Sequence, residues 1–127
     1  MHTDEYEIYG IDHVQLAMPS GEEAQVRAFY GDVLGLREVA KPEILAGRGG
    51  VWYEQGALKL HLGVEHDFQP ARKAHPALLV HGLTALIERC RQAGYSVSSD
   101  VALAGYERFH VIDPFGNLLE LMERIHS

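Results

Sequence analysis

The sequence predicts an α+β fold in which two tandem βαβββ modules form a curved mixed sheet, shaped as a cup, with the helices on its outer face. Three observations predict it. An apolar strand, an amphipathic helix and three shorter extended stretches follow one another twice, in the same order, along 127 residues. A histidine lies on the opening strand of each half: His13 in IDHVQLAM and His75 in AHPALLV, half a chain apart. A polar residue interrupts the last apolar strand of each half: His61 in ALKLHLGV and Glu120 in NLLELME. A repeated supersecondary unit with metal-ligand residue types at matching places points to a pseudo-symmetric metal site.

Residues 8–18 alternate as a strand, with Ile11, His13, Gln15 and Ala17 on one face and Val14, Leu16 and Met18 on the other. Pro19 ends it. Ser20 followed by Glu23 has capping-box spacing, so a helix is expected over about 21–34, carrying Val26, Phe29, Tyr30 and Val33 on one stripe and stopping at Gly35. Extended pieces follow near 36–40, near 50–54 and at 57–64, separated by AGRGG and Gln55-Gly56. The polar stretch 65–74, with Pro70, reads as the linker between a first module of about 8–64 and a second of about 75–123, all within one domain spanning 1–127.

The second module opens with extended HPALLV (75–80). An amphipathic helix is expected at 83–93, with Leu83, Leu86, Ile87 and Cys90 on its stripe and Gly94 as its stop. SVSSDVAL reads as a weak strand. RFHVI (108–112) and NLLELME (117–123) read as a hairpin around Asp113-Pro114-Phe115-Gly116, where Pro and Gly suit a tight turn.

Composition narrows the function. A formal charge of −7 and an acidic start (MHTDEYE) argue against nucleic acid or an anionic membrane as the main partner. No apolar run reaches membrane-span length, and no charged-then-apolar leader precedes the first strand. The single cysteine, Cys90, has no internal disulfide partner and reads as a small core hydrophobe, so a reducing cytoplasmic setting is expected.

The phase of each candidate ligand on its strand carries the chemistry. In LKLHL, Leu58, Leu60 and Leu62 share one face while Lys59 and His61 share the other. In NLLELME, Glu120 lies with Leu118 and Met122, opposite Leu119 and Leu121. A carboxylate between apolar neighbours needs a partner, because burying a charge costs several kcal/mol unless it is paired or bound to a cation. If the repeats pack as a curved sheet, His13, His61, His75 and Glu120 converge inside the curve. Imidazole nitrogens and a carboxylate oxygen suit zinc, nickel, manganese or ferrous iron alike. Two histidines and a carboxylate with open positions suit non-haem iron, whereas four protein ligands plus water suit hydrolytic or isomerising chemistry. His2, His66 and His126 read as ordinary surface residues, His81 as a turn or capping residue, and His110 as a residue that lines the cavity beside Phe109.

At IDHVQLAMP, AFYGDVLGL, AHPALLV and above all DPFGNLLELME, the chain resembles the vicinal oxygen chelate superfamily of glyoxalases, bleomycin resistance proteins and dioxygenases. The last segment is similar to that superfamily's DPxGxxxEL signature, and the resemblance runs over about 8–123. It implies paired βαβββ modules around a cup that holds a divalent metal. It implies His13 and His61 as ligands from the first module and His75 and Glu120 from the second. It also implies a substrate that chelates the metal through neighbouring oxygens, and a homodimer whose cups are completed by, or lie near, a partner chain. The departures narrow it. Glutathione-dependent glyoxalases usually carry Glu where this chain has His61, and Arg where it has Ala17. Fosfomycin-modifying members and extradiol dioxygenases use a His, His, Glu triad, which His13, His75 and Glu120 match.

The expectation is therefore a divalent-metal-dependent enzyme of the glyoxalase or dioxygenase type, lyase-, isomerase- or transferase-like, acting on a small molecule. Glu120 and His61 are the candidate catalytic groups, with His61 as fourth ligand or general base. Two alternatives stay open: a metal-free protein that sequesters an antibiotic or other small molecule, and a ferrous extradiol dioxygenase. Gln15, Trp52, Tyr53, Tyr106, Phe109 and Arg108 are candidate pocket residues, with Tyr106 also a candidate general acid. Arg48, Arg72 and Lys73 join Arg108 as cations for an anionic substrate group.

Overall fold

The structure, a computed structural model, describes residues 5–99 and 101–125. His2, His126 and Asp100, within the weak strand expected at SVSSDVAL, lie outside the described residues. Strand β1 (Val14–Met18) leads into α1 (Glu23–Val26), a π-helical stretch (Arg27–Val33), β2 (Arg37–Val39), a 3₁₀ helix (Glu43–Arg48), β3 (Val51–Gln55) and β4 (Leu58–Val64). After a stretch with neither strand nor helix come β5 (Ala77–Leu79), α2 (Leu83–Gln92), β6 (Val97–Ser99), β7 (Tyr106–Ile112) and β8 (Leu118–Arg124). The strands form two four-stranded mixed sheets, ordered β1-β4-β3-β2 and β5-β8-β7-β6. Each module thus pairs its first strand with its last in parallel, and the remaining strands antiparallel.

Four local expectations need correction. The first strand starts at Val14, not residue 8: its ladder is with β4 alone, running from Val14↔Leu60 to Met18↔Val64, and among the described residues none before it joins a strand. The Ser20 capping box does not form. Glu22 occupies the cap without a side-chain hydrogen bond, and the Glu23 carboxylate instead accepts from the Gly50 amide at 2.9 Å. The helix after it is α-helical for one turn and then widens, with the Leu34 amide donating to the Phe29 carbonyl, five residues back. A 3₁₀ helix (Glu43–Arg48) runs into AGRGG, which the sequence offered only as a Gly-rich separator between extended pieces.

The alternation read from the sequence places the core. Leu60 and Leu62 of β4, and Leu119 and Leu121 of β8, are buried with Phe29, Tyr30, Leu83, Ile87 and Cys90 in one core shared by both modules. Gly50 must be glycine: its φ is +87°, and a Cβ there would stand 2.2 Å from the Leu62 carbonyl oxygen.

The two modules are stapled at the DPFG turn. The Asp113 carboxylate accepts from the Phe115 and Asn117 amides, both at 2.8 Å, which shapes the turn. It also accepts from the Tyr30 hydroxyl at 2.6 Å and from Asn117 Nδ2 at 2.9 Å. Asn117 Nδ2 donates in addition to the Ala17 carbonyl at 2.8 Å. One buried carboxylate therefore ties the first module's helix, and through Asn117 its first strand, to the second module's hairpin.

Candidate metal centre

The antiparallel register of β7 and β8 sets His110 opposite Glu120. Side chains on one face of such a pair meet both straight across and on the diagonal, so Arg108, two residues before His110, also reaches Glu120. The parallel register of β5 and β8 sets Ala77 opposite Glu120 and brings His75, just before the strand, to the same spot. Glu120 is 6 % exposed. Its Oε2 accepts from Arg108 Nε at 2.7 Å, while Oε1 lies 3.0 Å from His75 Nε2 and 3.7 Å from His110 Nε2.

His75 is held in one tautomer. Its Nδ1 lies 2.7 Å from the Lys73 carbonyl, which can only accept, so Nδ1 carries a hydrogen. In a neutral ring Nε2 is then a bare lone pair, aimed at a carboxylate oxygen 3.0 Å away. Two acceptors at that distance need a positive species between them, either a proton on Nε2 or a metal ion. The Lys73 carbonyl first and the Glu120 carboxylate second favour the protonated ring and raise the His75 pKa above its ordinary 6.5. On Glu120, burial pushes the pKa up, but hydrogen bonds from Arg108 and His75 outweigh it and hold the group below 4.5.

His75, His110 and Glu120 each offer a ligand atom within 4.8 Å of the others, the one such group of three among the described residues. Ligand atoms about 2.1 Å from a common ion, at tetrahedral or octahedral angles, lie about 3.0–3.4 Å apart. The separations of 3.0 and 3.7 Å from Oε1 bracket that range. The donor set fits a divalent cation.

His13, just ahead of β1, and His61, on β4 of the other sheet, are not in this group. They lie against one another instead. His61 is sandwiched between Trp52, its cross-strand partner, with centroids 3.8 Å apart and planes 3° from parallel, and His13 at 4.4 Å. Burial lowers the His61 pKa, and its buried Nδ1 has no hydrogen-bond partner among the described residues. His13 is the exposed end of the stack and holds Asp12 through Nδ1 at 3.0 Å. Gln15 and His75 line a common cavity of about 550 Å³ between the modules, with Val14, Leu16, Glu65 and Asn117.

The other pocket candidates fall as follows. Tyr53 sits in the core, 1 % exposed, with burial raising its pKa to about 12. Phe109 packs against the core from β7. Tyr106 pairs with Arg124 across the hairpin and accepts from its guanidinium at 3.2 Å. Arg48, Arg72 and Lys73 are exposed, and Arg108 donates to the Glu120 carboxylate. Sequence reasoning placed His110 only as a cavity-lining residue. Counting back from the DPFG turn gives the His110↔Glu120 register, and that signal was available.

Comparison with known proteins agrees with this architecture. The family model described as the Glyoxalase/Bleomycin resistance protein/Dioxygenase superfamily matches residues 10–121. No curated protein matches significantly. Among solved structures, a glyoxalase family protein from Bacillus anthracis is 45 % identical with a TM-score of 0.89, over 94 % of this chain and 98 % of that one. A glyoxalase/dioxygenase from Nostoc punctiforme is 18 % identical with a TM-score of 0.75, over 92 % of each chain. The genomically encoded fosfomycin resistance protein FosX from Listeria monocytogenes is 14 % identical with a TM-score of 0.72, over 95 % of each. The last two show a shared fold.

Proposed function

From the premise that this chain belongs to the glyoxalase/bleomycin resistance protein/dioxygenase superfamily, we propose that it is a divalent-metal-dependent enzyme acting on a small molecule with two adjacent oxygens. One observation carries the reading: His75 Nε2 and His110 Nε2 lie 3.0 and 3.7 Å from the same buried oxygen, Glu120 Oε1. His75, His110 and Glu120 would hold the ion. Bound there, it would supply Lewis acidity toward the two substrate oxygens.

The chain's own residues account for the rest. The cavity that Gln15 shares with His75 is large enough for a small substrate and brings it to the edge of the centre. Gln15 offers an amide donor from the first module. His61, whose neutral form burial favours and whose ring is held flat between Trp52 and His13, is assigned the role of proton acceptor. The reading includes a homodimer, supported by exposed Tyr6, Ile8, Tyr9 and Ile11 just ahead of β1, an apolar run of the kind a second copy covers. His13 stands beside that run, where a partner chain could bring it to a neighbouring centre. It also includes a reducing, cytoplasmic setting, supported by the lone buried Cys90. No helix among the described residues is long and apolar enough to cross a membrane.

A second reading has its own observation. Arg108 already neutralises Glu120, so the site is electrically satisfied without an ion and would suit a protein that binds a small molecule without turning it over. The ferrous dioxygenase reading uses the same two histidines and carboxylate, and oxygen uptake with catechols separates it from the first. The test of the first is metal content. Protein incubated with zinc, nickel, manganese or ferrous iron and then dialysed is expected to keep close to one equivalent of at least one of them, and the His75→Ala, Glu120→Ala double variant to keep almost none. Wild-type protein that retains no metal from any of the four overturns the enzyme reading in favour of the second.

A further inference from the structure

We propose that Arg108 is a positioning residue: it holds one oxygen of Glu120 out of reach of the bound cation, so the carboxylate serves as a single-oxygen ligand. The inference rests on the metal reading above and goes beyond it by setting how many positions the site leaves for substrate.

The geometry is specific. Arg108 and Glu120 are diagonal neighbours across the β7–β8 ladder, where Arg108 pairs with Met122 and His110 with Glu120. Both side chains are largely buried, 19 % and 8 % exposed. Arg108 Nε donates to Glu120 Oε2 at 2.7 Å, and Nη1 donates to the Val101 carbonyl at 3.1 Å. The guanidinium is thus anchored at both ends. It is planar and permanently charged, and a charge-assisted hydrogen bond this short holds the carboxylate plane. Oε2 is engaged on the guanidinium side, leaving Oε1 toward His75 and His110.

The chemical consequence is a count. Two imidazole nitrogens and one carboxylate oxygen leave about three positions open on a six-coordinate ion, enough for two adjacent substrate oxygens and a water. A carboxylate free to turn could supply both oxygens and close one of them. The guanidinium charge also repels the ion, so Arg108 lowers affinity while it keeps the site open.

Manganese alone is the probe. Its affinity is read from the free-ion paramagnetic resonance signal, and its bound waters from the relaxation of solvent protons, in wild type, Arg108→Met and Arg108→Lys. Arg108→Met is expected to bind Mn(II) about tenfold more tightly. Its relaxation enhancement per bound ion should fall by about a third, as three open positions become two. Arg108→Lys keeps a charged donor and should stay close to wild type in both measures. Should Arg108→Met fail to fold by circular dichroism, Arg108→Gln carries the same expectations. A wild type that binds one equivalent while the neutral variant matches it in affinity and relaxation, or binds more weakly, overturns the role of Arg108 alone. A wild type that binds no divalent ion overturns the metal reading and this inference together.

Discussion

Asp113→Ala is expected to destabilise the protein by about 3–5 kcal/mol, enough to lower the midpoint of thermal unfolding by about 10–20 °C. The Asp113 carboxylate is 4 % exposed and accepts four hydrogen bonds, from two backbone amides, the Tyr30 hydroxyl and Asn117 Nδ2. Its removal strands those donors. Each unsatisfied buried donor costs about 1–3 kcal/mol, although relaxation and water recover part of the sum. The hydroxyl is the most affected: Tyr30 is fully buried, and burial first and the neighbouring Asp113 second keep its pKa far above the ordinary value. Because the same carboxylate joins both modules, the loss should appear as one cooperative transition at lower temperature. Asp113→Asn keeps an acceptor for the turn amides but sets a donor against donors on the other side, so it should fall between. A thermal or urea melt of the three proteins checks this, and a shift of only a few degrees for Asp113→Ala would show that the modules are held together elsewhere.

Glu120→Gln is expected to weaken divalent-metal binding by about a hundredfold or more, read by titration calorimetry or by competition with a chelating dye. It removes the ligand charge while keeping the side chain's shape, so the change isolates the carboxylate. In metal-free protein the same substitution should cost stability, because it replaces a charge-assisted bond between two partly buried side chains, Glu120 and Arg108, by a weaker neutral one. The pH dependence follows from the two shifted groups. Glu120 has a folded pKa below its ordinary 4.5, so its contribution is complete above 4.5 and is lost as pH falls through the lower folded value. His75 has a folded pKa above its ordinary 6.5, so its contribution is complete below 6.5 and is lost as pH rises through the higher folded value. The stability gap between wild type and Glu120→Gln should therefore be widest between pH 4.5 and 6.5 and narrow on the acid side. A gap that grows steadily as pH falls below 4.5 would contradict the assignment.

Much of this architecture was legible in the sequence, and the limits have physical causes. Alternation in LKLHL and NLLELME put the leucines in the core and left His61 and Glu120 on the other face, because a strand's side chains reverse with every residue. The helix in the second module was legible for a similar reason: Leu83, Ile87 and Cys90 recur at helical spacing and are all buried. Strand ends were less legible, since a strand extends only as far as its partner, and β4 gives β1 five partners. The Ser20–Glu23 capping box was plausible locally, but a tertiary contact with Gly50 claimed the Glu23 side chain.

The candidate site divided in the same way. Each half of the repeat could be read within its own module, but which half-sites meet depends on how two separate sheets lie, and no spacing rule encodes that. His75 and Glu120 belong to one parallel pair and come together, while His13 and His61 form a stack of their own. The need of Glu120 for a positive partner was foreseeable from its phase. That Arg108 and His75 both answer it follows from cross-strand register, which becomes definite only when the hairpin turn is fixed.

Anomalous diffraction from a crystal soaked in cobalt, or in the metal the protein retains, tests the central claim most directly. The account predicts a single strong peak about 2.1 Å from His75 Nε2, His110 Nε2 and Glu120 Oε1. A peak on the His13 and His61 rings, or no peak in protein that binds metal in solution, would contradict it.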